Sequence, residues 1–91
     1  MKLSKPKAKS ALKKLKRGWK IIDNKLEKEF KFKNFVQSMG FANQVALIAQ
    51  RQNHHPEIEI AYNTVEIELW THSEGGLTKK DFNLAIKIDQ L

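Results

Sequence analysis

The stretch "EIEIAYNTVEIEL", Glu57 to Leu69, alternates apolar and charged residues on both sides of "NT". Ile58, Ile60 and Tyr62 before the break and Val65, Ile67 and Leu69 after it share one face of two strands, the period-two pattern of a half-buried β-hairpin. With Asn63 and Thr64 as a two-residue loop, Tyr62 faces Val65, Ile60 faces Ile67 and Ile58 faces Leu69, so apolar meets apolar throughout. A slip of one residue would turn one strand's apolar set to solvent. Continued to the open end, this register sets Pro56 opposite Thr71 and His55 opposite His72, although proline cannot donate to a ladder and splays the strand end. The three histidines of the chain, His54, His55 and His72, are thereby gathered at the distance of cross-strand neighbours.

The remaining sequence supplies the partners such a hairpin needs. Trp19 and Ile21 before Asp23-Asn24, with Leu26, Phe30 and Phe32 after it, form a second alternating pair interrupted on its apolar face by Lys28. Asn34 followed by Gln37 resembles a capping box, and Phe35, Val36, Met39, Ala42, Val45, Ala46 and Ala49 then predict a helix over residues 35 to 52. Pro56 and its effect on His55 stop that helix near Asn53. Ala11, Leu12 and Leu15 predict a first helix over roughly residues 7 to 17, closed by Gly18. Thr78 as N-cap, Asp81 three residues on, and the Leu77–Phe82 pair predict a third helix that buries Phe82, Leu84, Ala85, Ile88 and Leu91. The expected fold is α+β, a four-stranded antiparallel sheet with three helices packed on one face in the order α-β-β-α-β-β-α. Trp19 and Tyr62 fall on the expected core faces, and Trp70 on the face opposite Leu69.

Composition narrows the chemistry. A chain of 91 residues holds one domain with a thin core, which association with copies of itself would supplement. No run is long and apolar enough for a membrane span, and no secretory leader is visible, so the expected setting is cytoplasmic. With no cysteine, the candidate chemical groups are histidine, carboxylate, hydroxyl and backbone. The formal charge of +7 is concentrated at one end, because residues 1–20 hold nine Lys or Arg and no acid. The other residues carry eight bases against all ten acids, a net of −2. Residues 1–9 are therefore expected as a solvated basic tail and residues 10–91 as the single domain, with no specific nucleic-acid partner.

These residues resemble the pterin-4a-carbinolamine dehydratase family, also described as dimerisation cofactors of a hepatocyte nuclear factor. The resemblance runs from Gly18 to the C-terminus through "GW" at Gly18, "FKFKNF" at Phe30, "GF" at Gly40, "VAL" at Val45, "NHHPE" at Asn53, "YNTV" at Tyr62, "THSEGGLT" at Thr71, and Asp81. It implies dehydration of a 4a-hydroxytetrahydropterin to quinonoid dihydropterin during tetrahydrobiopterin recycling, with no metal and no cofactor. It also implies His54, His55 and His72 as the catalytic set, His55 and His72 being nearest the departing hydroxyl. Substrate contacts are expected from His54, His55, Pro56, Thr71, His72, Ser73 and Glu74, with Asp81 and Gln50 as candidate supports. Gln50 stands where the family commonly has an acid, and the basic leader replaces a commonly acidic helix start.

Histidine suits this chemistry because imidazole titrates near neutrality and can serve as acid or base. Asp81 has a competing role as a helix cap. A three-histidine metal site is disfavoured, since adjacent strand residues such as His54 and His55 point to opposite faces. The resemblance further implies a homodimer or homotetramer, and it leaves one alternative function, a non-catalytic protein-binding module of the transcriptional coactivator kind.

Overall fold

The computed structural model describes residues 1–91, ordered as α1 (Lys5–Leu12), β1 (Lys20–Ile22), β2 (Lys25–Lys31), α2 (Phe35–Gln52), β3 (Glu57–Ala61), β4 (Thr64–Leu69), a short 3-10 turn (His72–Glu74) and α3 (Lys79–Asp89). The strands form one antiparallel sheet in the order β1-β2-β4-β3, so β4 lies inside and β1 and β3 are edges. Val65, Ile67 and Leu69 of β4 and Leu26 of β2 are fully buried on one face. They share a single core with Ala42, Val45 and Ala49 of α2 and with Phe82, Leu84, Ala85 and Ile88 of α3. The α+β fold and the element order therefore agree with the sequence reading.

Helix α2 has the predicted bounds. The Asn34 side chain accepts from the Gln37 backbone amide at 2.9 Å, while the Gln37 side-chain oxygen accepts from the Lys33 backbone amide at 3.0 Å rather than from Asn34 itself. At the other end Asn53 turns left-handed at φ 52°, and its amide donates back to Ala49 and Gln50. Asparagine tolerates that conformation better than most residues, which is why the helix stops there and releases His54 in a new direction.

The hairpin register differs from the expected one by two residues. Its loop is Tyr62-Asn63, with Ala61 paired to Thr64, Ile60 to Val65 and Ile58 to Ile67. A shift of two preserves which side chains face the core, so the alternation could not distinguish the two pairings. Contacts around the loop accompany the observed pairing. Lys31 and Phe30 of β2 pair with Thr64 and Val65, the Phe32 amide donates to the Asn63 carbonyl at 2.7 Å, and the Thr64 hydroxyl donates to the Ala61 carbonyl at 3.0 Å. Two expectations fall with the old register. Tyr62 is exposed at the hairpin tip rather than in the core, and the ladder ends at Glu57 and Leu69 without pairing His55 to His72.

The basic segment is folded rather than a free tail. Helix α1 starts at Lys5 and ends at Leu12, earlier at both ends than predicted, with the Ser4 hydroxyl as cap and Pro6 in the first turn. Ala8 is buried beside the Ala11–Leu12 row, and the Leu3 amide donates to Leu77 at 2.7 Å. Downstream, Asp89 competes for the backbone, accepting from the Lys16 amide at 3.0 Å and from the Trp19 indole at 3.0 Å. The same carboxylate pairs with Lys28 at 3.1 Å, and the Lys28 ammonium lies over the Phe30 ring at 4.7 Å. Lys28 thus occupies the inward face of β2 with its charge neutralised, which accounts for the break in the alternation there.

Candidate active site

Two chain segments build the site, the link His54–Pro56 between α2 and β3 and the loop from Trp70 to Thr78 that leads into α3. The His54 amide donates to the Ala49 carbonyl at 3.1 Å, which fixes the link to the end of α2. Its Nε2 meets Asp81 Oδ1 at 2.6 Å, with the histidine side chain 11% exposed and the aspartate fully buried. A carboxylate can only accept here, so the imidazole presents a proton on Nε2 to Asp81.

The other oxygen of Asp81 is also committed. Oδ2 accepts from the Thr78 amide at 2.9 Å and from the Thr71 hydroxyl at 2.9 Å. Because Thr71 spends its one hydroxyl proton on Asp81, the 2.7 Å contact between Thr71 and Thr78 must be donated by Thr78, whose oxygen in turn accepts from the Lys80 amide at 3.2 Å. Asp81 is therefore both the helix cap and the partner of His54, and the chain of hydroxyls ties that pair to the loop bearing His72. Thr71 and Thr78 are buried, and a bridge between Thr71 and Gly76 closes the loop.

His55 is exposed, and its Nε2 lies 2.9 Å from Gln50 Oε1. The amide oxygen accepts, so this imidazole presents a proton on Nε2, with a side-chain amide as partner where His54 has a carboxylate. His72 opens the 3-10 turn and is exposed. Its ring stacks on Trp70 with centroids 4.2 Å apart and planes 18° apart. On the same indole, the Lys25 ammonium sits 4.2 Å from the ring centroid. Stacking holds the His72 ring by its face and leaves its nitrogen edges free.

The structure thus joins His54, Thr71 and Asp81 directly and gives Gln50 to His55. Ser73 and Glu74 do not join that network, and line a neighbouring cavity of about 700 Å³ together with Thr71 and Thr78. The sequence reading missed Thr78 as a relay and Trp70 with Lys25 as the seat of His72. Thr78 was detectable only as a cap. Lys25 is distant from Trp70 in sequence, and no local pattern marks their meeting.

The whole chain, residues 1–91, matches the family model described as pterin 4 alpha carbinolamine dehydratase. A protein of Picosynechococcus sp., named as a candidate pterin-4-alpha-carbinolamine dehydratase, is 51% identical over 73 residues, covering 80% of this chain and 79% of its own. A similarly named protein of Nitrosomonas eutropha is 42% identical over 89 residues, covering 98% of this chain and 79% of its own. Among solved structures, a transcriptional coactivator/pterin dehydratase from Brucella melitensis superposes with a TM-score of 0.93 at 39% identity, over 99% of this chain and 97% of that one. A pterin dehydratase-like RuBisCO assembly factor of the alpha-carboxysome shares the fold alone, with a TM-score of 0.65 at 20% identity over 79% of this chain and 83% of that one. With the family model matched from end to end and close relatives spanning most of its length, the chain belongs to the pterin-4a-carbinolamine dehydratase family of hydro-lyases.

Proposed function

We propose that the chain dehydrates 4a-hydroxytetrahydropterins to quinonoid dihydropterins, the product that a reductase returns to the tetrahydro form. The C4a–O bond breaks while the departing oxygen takes a proton from one imidazolium. A neutral imidazole takes the proton of N5, and the electron pair of that N–H bond becomes the C4a=N5 double bond. Water and the oxidised-level pterin leave, and no electron acceptor is needed. His55 and His72, both exposed at the site, are the acid and base, and His54 supports them from its fixed seat on Asp81. The observation that carries the reading is the 2.6 Å contact between His54 and the fully buried Asp81, whose second oxygen holds Thr71 beside His72. An imidazole held in one tautomer by a buried carboxylate is a frequent arrangement where proton transfer is the task.

Stopped-flow dehydration of a 4a-hydroxytetrahydropterin tests this. The chain should exceed the spontaneous rate, and His55→Ala or His72→Ala should lower turnover at least about tenfold, general acid–base groups contributing roughly 10²- to 10⁴-fold. A spontaneous rate left unchanged by the unaltered chain would sink the enzymatic reading in favour of a binding module.

The reading extends to a homo-oligomer. Val36, Met39 and Leu47 are exposed along the side of α2 that faces away from the core. On the same side, Gly40 would accept a Cβ with nothing within 4 Å, so no neighbour in this chain requires glycine there. An apolar stripe with a small residue at its centre is what close helix–helix contact needs, and a second copy of α2 fits it.

A further inference from the structure

The cavity of about 700 Å³ beside the catalytic loop is walled by four lysines, Lys2 and Lys7 from the N-terminal segment and Lys79 and Lys80 from the start of α3. The only carboxylate among its lining residues, Glu74, faces the N-terminal ammonium at 4.0 Å, and none of the four lysines is in an ion pair. The placement of Lys2 is built in. The Leu3 amide is tied to Leu77 at 2.7 Å, and a Cβ on residue 76 would come within 2.8 Å of Lys2 Cε, so glycine at that position is what lets the Lys2 stem lie against the loop. Gathering like charges around one space is unfavourable unless an anion enters it. Thr71 and Ser73, the two residues flanking His72, line the same space.

We propose that this cavity receives the anionic end of the substrate's C6 side chain, so that the preferred substrate is a hydroxytetrahydropterin carrying a phosphate monoester rather than a neutral polyol. The inference rests on the dehydratase reading for the identity of the pterin and on the lysine-lined cavity for its charge. A phosphate monoester carries nearly two negative charges and three acceptor oxygens at neutral pH, which matches several separate ammonium groups better than a single carboxylate does.

Three 4a-hydroxytetrahydropterins decide it, with a neutral dihydroxypropyl chain at C6, the phosphate monoester of that chain, and a carboxylate-ended chain of equal length. At low ionic strength the ester should be favoured in kcat/KM by about tenfold or more through KM, as expected of a charge-assisted contact. The preference should shrink as salt is added. In the Lys2→Ala, Lys7→Ala double variant, the ratio of ester to neutral kcat/KM should fall by about fivefold or more. Equal kcat/KM for ester and neutral substrates, or a preference untouched by the double variant, overturns the inference. A carboxylate substrate handled as well as the ester overturns the phosphate assignment. Calorimetric binding of the stable 7,8-dihydropterin that carries the neutral dihydroxypropyl chain at C6, and of the phosphate monoester of that chain, separates this from the activity itself. If no substrate is turned over yet the ester binds more tightly, the dehydratase reading fails and the anion cavity stands, whereas equal binding removes the cavity's role in either case.

Discussion

Asp81 divides its two oxygens between His54 and the cap of α3, and exchanging one of them for an amide nitrogen tests what the His54 contact does. In Asp81→Asn the amide oxygen can still accept from Thr78 and Thr71, which keeps the cap of α3. The amide nitrogen must then face His54 Nε2, the position now 2.6 Å from Oδ1, and it can only donate. The imidazole would have to accept on Nε2 and move its proton to Nδ1. Turnover should fall by about 10²-fold, within the range associated with misplacing a catalytic proton, while the melting midpoint changes little. Activity within twofold of the unaltered chain would make Asp81 a cap and nothing more, and the ¹⁵N shifts of His54 would report the tautomer directly. The sequence showed half of this residue. Its place three positions after Thr78 marked the cap, but the partner of Oδ1 depends on how the α2–β3 link meets α3, a tertiary contact that no local spacing encodes.

In the sheet, what the sequence displayed and what it concealed have one cause. Side-chain alternation fixes which face of a strand is buried, so the fold class, the two hairpins and the bounds of α2 were readable. Alternation is blind to shifts of two, and the observed register of β3 on β4 is the one with Tyr62-Asn63 as the loop. The same register stacks glutamates on the outer face, Glu27 opposite Glu68 and Glu68 opposite Glu57, with Glu29 opposite Glu66 and Glu66 opposite Glu59. Desolvation, followed by the charges of Glu68 and Glu66, raises the Glu27 carboxyl above its ordinary range. A carboxyl whose folded value is raised favours the folded state when protonated, and that advantage is lost as pH rises from the unfolded value, near 4.3, through the folded one. At neutral pH the ionised Glu27 is therefore a liability. Glu27→Gln should raise the thermal midpoint by a few degrees at pH 7, and the gain should shrink as pH falls and the parent carboxyl takes up its proton. A gain that persists unchanged into acid would mean that packing, not charge, separates the two side chains.

At the scale of the whole molecule, the chain exposes more surface than its mass warrants. Its accessible area is 6247 Å² for 10.6 kDa, against about 5500 Å² expected of a folded monomer of that size. Part of the excess is apolar, since Val36, Met39 and Leu47 follow one side of α2 around the bare backbone of Gly40. The C-terminal helix offers less of it, because Phe82, Leu84, Ala85 and Ile88 are buried within the chain as expected, while Ile86 is exposed and Leu91, expected in the core, is exposed as well. Glycine in a helix interior is unfavourable by about 1 kcal/mol relative to alanine, a cost that close approach of a second helix would offset. Leu47→Lys places a charge in that contact without touching the core, so it should shift light-scattering mass from an oligomer towards the monomer at micromolar concentration while leaving the far-ultraviolet circular dichroism unchanged. Gly40→Leu should do the same by holding the helices apart. A monomeric mass for the unaltered chain, or an oligomer indifferent to both substitutions, would show that the stripe on α2 is not where copies of this chain meet.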